Sequence, residues 1–104
     1  MEKQGEYKTN ISQKQKKIID HYGFDNQSDQ LIEECGELIV SISKNKRYSL
    51  SESCIDYYDN LIEELADVKN LIEQLELKND YVRQGIEVMI EHKTNRELDR
   101  ISRR

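Results

Sequence analysis

Apolar residues recur every three or four positions along most of this chain, which is the period of an α-helix with one buried face. After residue 28 the apolar stripe consists of Leu31, Cys35, Leu38 and Ile42, widened by Ile32 and Ile39. After residue 57 a second stripe consists of Leu61, Leu65, Val68, Ile72 and Leu75. The pattern therefore predicts two long amphipathic helices in the middle of the chain.

Residues that cap or stop helices predict the limits of these elements. Ser12 is expected to cap a first helix that ends before Gly23. A short link over 24–27 follows, and Ser28 or Asp29 is expected to cap the second helix. The second helix is expected to end in the basic stretch 44–47, a third to cover about 57–77, and a fourth to run from a cap at Asn79 or Asp80 towards Ile101.

The composition favours a purely helical domain. The 104 residues include no Pro, no Trp and four Gly, whereas a strand-rich domain of this size needs many turn residues. The length is that of one domain over 1–104, in which the polar residues 1–10 are expected to form a flexible tail. We predict an all-α, four-helix protomer. Because so short a chain buries a modest core, we expect it to form oligomers.

Charge is unevenly distributed along the chain. The net charge is −5, yet residues 1–17 carry five Lys and two Glu, and residues 93–104 carry five basic and two acidic residues. The acidic excess is therefore concentrated in the middle. An acidic centre is a poor surface for nucleic acid, so no nucleic-acid partner is predicted. It suits a site for metal ions, with cations nearby for an anion.

The cysteines and the N-terminal segment bear on the cellular compartment. Cys35 and Cys54 show no CxxC or Cys/His spacing, so zinc is not predicted, and Cys35 is expected to be a small core residue. The chain begins without the apolar segment of a signal peptide, and no apolar run is long enough to span a membrane. These features predict a reduced, cytoplasmic setting and no membrane partner.

Two acidic pairs lie on the same flank of the two central stripes. At about 100° per residue, Glu34 and Glu37 fall beside the stripe of the second helix. Glu64 and Asp67 fall in the same place on the third helix, and both segments read Ile-Glu-Glu, two other residues, an acid and an aliphatic residue. Packing the two helices together would therefore bring four carboxylates to one edge of the core.

Four neighbouring carboxylates repel one another and resist desolvation, so they must be protonated or neutralised by cations. Hard divalent ions with oxygen ligands are the natural partners, and Mg²⁺ prefers a few carboxylates together with water and phosphate. A single ExxE pair is more often a solvated helix face. Two pairs in matching register favour a metal site.

The spacing of the acidic pairs resembles a known signature. Glu34-x-x-Glu37, 26 further residues and Glu64-x-x-Asp67 are similar to the ExxE…ExxD motif of the MazG-like all-α nucleoside triphosphate pyrophosphohydrolases. That superfamily includes MazG, dimeric dUTPases, dCTP pyrophosphatases and phosphoribosyl-ATP pyrophosphohydrolase. The similarity covers about residues 12–101 and is carried by the segments 31–39 and 63–68, with weaker support from 21–27 and 92–96.

This resemblance implies a MazG-like helical protomer that assembles into a dimeric or tetrameric bundle. It implies Mg²⁺-dependent hydrolysis of an NTP or dNTP between its α and β phosphates, giving a nucleoside monophosphate and pyrophosphate. Mn²⁺ is expected to substitute for Mg²⁺. The metal ligands that it implies are Glu34, Glu37, Glu64 and Asp67. The identity of the nucleotide is not fixed by the resemblance.

Hydrolysis of a phosphoanhydride also needs an activated water, and a carboxylate at the site could accept its proton. Glu33 is adjacent to the expected ligands, but its position on the helical wheel faces away from the stripe. Glu34 could contact both metal and water. Glu33 and Glu34 are therefore both candidate catalytic residues.

Two further pairs of residues are candidates for contacts with the nucleotide. Lys93 and Arg96 continue the apolar stripe of the fourth helix and could bind the leaving pyrophosphate, although charged side chains at a helix end often show the same pattern. His21 and Gln27, where the first two helices meet, are candidates for recognition of the base. Packing is the alternative role for the aromatic residues there.

Two other functions could use an acidic helical bundle. A di-iron carboxylate centre needs Glu-x-x-His pairs, and neither His21 nor His92 has a Glu three residues before it, which excludes that centre. A non-catalytic helical module that binds nucleotide or a protein partner remains the alternative, because no sequence pattern demonstrates turnover.

Overall fold

The computed structural model describes residues 4–48 and 54–103, which form four α-helices. The prediction of an all-α chain with four helices is confirmed, and no strand occurs among the described residues. None of the described helices combines the length and apolar character needed to cross a membrane. The helices are α1 (Gln4–Tyr22), α2 (Phe24–Tyr48), α3 (Cys54–Lys78) and α4 (Asp80–Ser102).

Gly23 and Asn79 set two tight connections between helices. Gly23 has a φ of +91°, in a region that residues with a side chain rarely adopt, so α1 can end and α2 begin on either side of one residue. The amide of Gly23 donates to the carbonyl of Ile19 at 2.7 Å. Asn79 is the N-cap of α4, because its side-chain oxygen accepts a hydrogen bond from the Val82 amide at 3.1 Å. Both predicted boundaries are confirmed.

α1 and α2 begin earlier than their predicted caps. α1 begins at Gln4 rather than after Ser12, so it includes residues 4–10 of the predicted tail, and residues 1–3 lie outside the described part. α2 begins at Phe24, and the predicted link is its first turn. The hydroxyl of Ser28 donates to the Phe24 carbonyl at 2.8 Å. Both Ser28 and Asp29 lie inside α2, so the predicted cap at Ser28 or Asp29 is wrong. A serine can make such a bond inside a helix as well as cap one, so residue type alone did not separate the two roles.

α3 is the central helix of the protein. It packs against α2 along most of its length and also against α1, whereas α4 packs against α3 alone among the described helices. Ile19 of α1 and Leu71 of α3 are the buried apolar residues of this core within the described chain. Because α2 and α3 share the longest contact, the seam between them is where the predicted acidic pairs can meet.

The face that α2 presents to α3 differs from the predicted apolar stripe. Its less exposed residues recur at alternating spacings of four and three, as in the narrow seam of two helices packed at a small angle. Cys35 and Ile39 are exposed, so the prediction that Cys35 is a core residue is wrong. The seam residues of α2 are Gln27, Leu31, Glu34, Leu38 and Ser41.

Candidate metal centre

α2 and α3 run antiparallel, and two polar contacts fix their alignment. The amide nitrogen of Gln27 donates to the side-chain oxygen of Gln74 at 2.7 Å. Farther along α2, the hydroxyl of Ser41 donates to the side-chain oxygen of Asn60 at 2.8 Å. Since residue numbers rise along α2 as they fall along α3, the predicted acidic pairs come to lie opposite each other between these two contacts.

Four carboxylates meet on this seam. Glu34, Glu37, Glu64 and Asp67 each offer one carboxylate oxygen, and these oxygens all lie within 4.8 Å of one another. Glu34 and Glu64 are half-buried, whereas Glu37 and Asp67 are exposed. We call these four residues the acidic cluster. The structure thus brings together the four residues whose register predicted that they would be neighbours.

The environment of Glu34 shows the electrostatic cost of this arrangement. The amide of Gln30 donates to Glu34 Oε1 at 3.0 Å, and this hydrogen bond acts to lower the pKa of Glu34. Partial burial and the carboxylates of Glu37 and Asp67 act in the opposite direction, and the net result is a pKa of Glu34 above its ordinary value. A bound cation would relieve this repulsion.

Two oxygens of the acidic cluster lack hydrogen bonds. Glu34 Oε2 and Glu64 Oε2 are buried and have no partner among the described residues. Leaving a buried polar atom unpaired costs about 1–3 kcal/mol, and such an atom in a native protein is commonly explained by an ion or a water. The inner edge of the acidic cluster therefore has two free acceptors that face no donor from the described part of the chain.

The donor set and its spacing fit a hard divalent ion. Mg²⁺ binds oxygen at about 2.0–2.1 Å, so ligands on opposite sides of the ion lie about 4.2 Å apart. The carboxylate oxygens already lie within 4.8 Å of one another, and all four donors are oxygens, which soft metals do not favour. The acidic cluster could therefore hold a divalent metal ion with a small inward adjustment of its side chains.

A cavity of about 500 Å³ opens beside the acidic cluster. This volume lies in the range of small-molecule sites. Glu33 is exposed and borders the cavity, so it lies beside the cluster although it faces away from the seam. The described lining comes from α2 and α3 and consists of Glu33, Gly36, Glu37, Val40, Ser41, Lys44, Asn60 and Glu64.

Lys93 and Arg96 do not reach the acidic cluster within one chain. Both are exposed and border a separate cavity of about 420 Å³, whose described lining lies entirely on α4. Since α4 packs against α3 alone, it does not contact the α2 side of the cluster. The phosphate-binding role of these two residues stays a prediction, and it would require a second copy of the chain.

His21 and Gln27 also lie away from the cavity. His21 is exposed, and its ring meets that of Tyr22 edge-on with 4.7 Å between centroids. Gln27 is buried on the seam, and its amide nitrogen is bonded to Gln74. It precedes Glu34 by two helical turns, roughly 10 Å. Neither residue belongs to the described lining of the cavity, and their base-binding role stays a prediction.

Three polar residues of the cavity, Ser41, Lys44 and Asn60, were not predicted from the sequence. A signal for two of them was present, because Ser41 and Lys44 continue the spacing of three and four residues that begins with Glu34 and Glu37. The sequence held no such signal for Asn60. Asn60 lies on α3, and it borders the cavity beside Ser41 of α2, to which it is hydrogen-bonded.

Comparisons of the chain with protein-family models, with curated proteins and with solved structures returned no match. The acidic cluster and the cavity beside it are therefore the observations from which a function can be proposed.

Proposed function

We propose that the protein is a Mg²⁺-dependent nucleoside triphosphate pyrophosphohydrolase that converts an NTP or dNTP to the monophosphate and pyrophosphate. The observation that carries this proposal is the meeting of four carboxylates within 4.8 Å, two of them with a buried, unpaired oxygen. The resemblance of their spacing to the MazG-like signature supports the same function. Glu34, Glu37, Glu64 and Asp67 would hold the metal, and Mn²⁺ would substitute for Mg²⁺.

When bound, the metal would neutralise phosphate charge and make a coordinated water more acidic. The protein's own residues divide into inner and outer ligands. Glu34 and Glu64 are held in the α2–α3 seam, and Gln30 fixes one oxygen of Glu34. Glu37 and Asp67 are exposed and can adjust to the ligand. Two of the metal ligands are thus held by the packing of α2 on α3, and the exposed side of the acidic cluster is left open to the nucleotide.

Of the two candidate general bases, the surroundings favour Glu33. One oxygen of Glu34 accepts a hydrogen bond from Gln30, and the other is buried towards the acidic cluster. Glu33 is exposed at the edge of the cavity, where a carboxylate can reach a water beside the substrate. We therefore assign the proton-accepting role to Glu33 and the metal-binding role to Glu34.

The test is the release of pyrophosphate from a panel of NTPs and dNTPs, with Mg²⁺ and with EDTA. The wild-type protein should release pyrophosphate and monophosphate only with the metal. Glu37→Gln should lower the rate at least about tenfold without unfolding the protein, because it removes an exposed metal ligand.

Glu63→Gln is the matched control for this substitution. Glu63 is an exposed glutamate on α3 that lies outside the described lining of the cavity, so the same change of charge should leave the rate near that of wild type. Equal rates in both variants would remove Glu37 from the site. If the protein binds the metal but releases pyrophosphate from none of the nucleotides, the result would favour the non-catalytic module.

A further inference from the structure

Lys44 places a positive charge in the same cavity as the acids. It borders the cavity with Glu37 and Ser41, on the same side of α2. Two helical turns, roughly 10 Å, separate Lys44 from Glu37. Long side chains on a helix lean towards its N-terminus, so a lysine at this position can extend back over Ser41 towards the acidic cluster.

The surroundings of Lys44 show that its charge is available to a ligand. Cations are common near the end of a helix because they interact with its dipole, which explains a lysine there but not its place in a cavity with carboxylates. Lys16 and Lys78 both form salt bridges with Asp20. The structure records no such bridge for Lys44 in the part of the chain that it describes.

Asn60 adds a second donor at the same end of the cavity. Its side-chain oxygen accepts the hydrogen bond from Ser41 at 2.8 Å, which leaves its NH₂ group for another partner. Asn60 also borders the cavity. One end of the cavity is therefore built of carboxylate acceptors, and the other end is built of hydrogen-bond donors.

A ligand that complements both ends must bring a cation to the carboxylates and anionic oxygens to the donors. A divalent metal bound to a chain of phosphate groups has this distribution of charge. We propose that Lys44, with Asn60 held by Ser41, forms the subsite for the terminal phosphates of the substrate and for the pyrophosphate product. This inference rests on the proposed function and identifies the end of the cavity that binds the leaving group.

The test is calorimetric titration of inorganic pyrophosphate into the Mn²⁺-loaded protein. Lys44→Gln should weaken pyrophosphate binding about tenfold or more, which is the size of one hydrogen bond to a charged group. Lys44→Arg keeps the charge and should retain most of the affinity. Lys46→Gln is the matched control, because it removes the same charge from the same end of α2, and Lys46 does not belong to the described lining of the cavity. This variant should change the affinity less than twofold.

Titration of Mn²⁺ alone separates this inference from the proposed function. If the wild-type protein does not bind Mn²⁺, the metal centre and the subsite are both wrong. If Mn²⁺ binds and Lys44→Gln binds pyrophosphate as tightly as wild type, or no more weakly than Lys46→Gln, the subsite alone is wrong. If Lys44→Gln weakened the binding of nucleoside monophosphate and triphosphate equally, Lys44 would contact the part that they share, which is the nucleoside and the α-phosphate, and the terminal-phosphate subsite would be wrong.

Discussion

Asp20 of α1 is a single residue that joins α1 to α3 and does not belong to the acidic cluster. Its carboxylate accepts hydrogen bonds from Lys16 at 2.7 Å and from Lys78 at 2.8 Å, and Lys78 is the last residue of α3. The hydrogen bonds from Lys16 and Lys78 hold the pKa of Asp20 below its ordinary value. Since none of these residues belongs to the acidic cluster or to the described lining of the cavity beside it, Asp20 offers a test of the packing of α1 on α3 that is independent of function.

We predict that Asp20→Asn lowers stability at neutral pH and has no such effect in acid. A carboxyl group whose pKa is lower in the folded chain stabilises the fold above its unfolded pKa of about 3.9. That contribution is lost as the pH falls through the folded value. The effect should be small, because the three side chains are 39–46% exposed and water screens the ion pairs.

Urea unfolding of both proteins at pH 7 and at about pH 2.5 measures this difference. Asp29→Asn is the control, since Asp29 is an exposed aspartate for which the described chain shows no salt bridge. A loss of stability in Asp20→Asn that is the same at both pH values would contradict the assignment of the effect to the ionised carboxylate.

At the scale of the helices, a chain of hydrogen-bonded amides, of which three glutamines are buried, fixes how α1, α2 and α3 align. Gln27 donates to Gln74 at 2.7 Å, and Gln74 donates to Asn70 at 3.1 Å. From α1, Gln15 donates to the same oxygen of Asn70 at 3.0 Å. The three glutamines are 3–8% exposed, so a slip of any helix would leave polar groups unpaired away from water. This network holds α2 and α3 in the register that brings the acidic pairs together.

Gln74→Leu should therefore destabilise the protein by about 1–3 kcal/mol, because it leaves the buried amide of Gln27 without an acceptor. The double variant Gln27→Leu with Gln74→Leu should lose less than the sum of the two single variants, since it removes both polar partners. A double-mutant cycle by chemical denaturation measures the coupling. Strict additivity would show that the hydrogen bond between Gln27 and Gln74 does not contribute to stability.

The same helices show which features of the fold the sequence pattern could predict and which it could not. It predicted α3 to within three residues at each end and the meeting of the acidic pairs, because both follow from spacing along one helix. On α2 it placed Leu31 and Leu38 correctly, but the seam includes Glu34 and Ser41 in place of the predicted Cys35 and Ile42. Polar residues can line a seam when a partner across it satisfies them, and that partner is specified by the pairing of two helices rather than by either sequence alone.

The proposed subsite at Lys44 could not be predicted from the sequence, because it too depends on the pairing of two helices. The cavity forms only where antiparallel packing sets Asn60 opposite Ser41, so its donors come from two helices. No periodic pattern within one helix links Asn60 to Lys44.

At the scale of the whole molecule, the single chain leaves large apolar surfaces uncovered. Its radius of gyration is 17.0 Å, whereas a compact chain of about 100 residues has about 13 Å. No residue of α4, all of which is described, is buried, and Leu98 and Ile101 are at least 60% exposed. On α2, Ile32 and Ile39 are 71% and 65% exposed. Exposed patches of this kind mark interfaces.

The part of the predicted α2 stripe that does not face the seam, which includes Ile32 and Ile39, thus lies on the outside of the single chain. We infer that a second copy covers it, which gives the larger bundle that the MazG-like resemblance implies. A second copy is also the remaining route by which Lys93 and Arg96 can reach an acidic cluster, since one chain keeps them apart.

We predict that the protein is larger than its 12.4 kDa monomer when measured by size-exclusion chromatography with light scattering. Ile39→Glu and Leu98→Glu should each shift the protein towards the monomer, because a charge buried in an apolar interface is strongly unfavourable. Gln84→Glu is the control, since it adds the same charge at an exposed polar position of α4 and should leave the assembly intact.

If Lys93 and Arg96 act across the interface, the dissociated variants should bind Mn²⁺ as wild type does but release pyrophosphate at least about tenfold more slowly. A wild-type protein that is a stable, fully active monomer would contradict both the assembly and the role of these two cations.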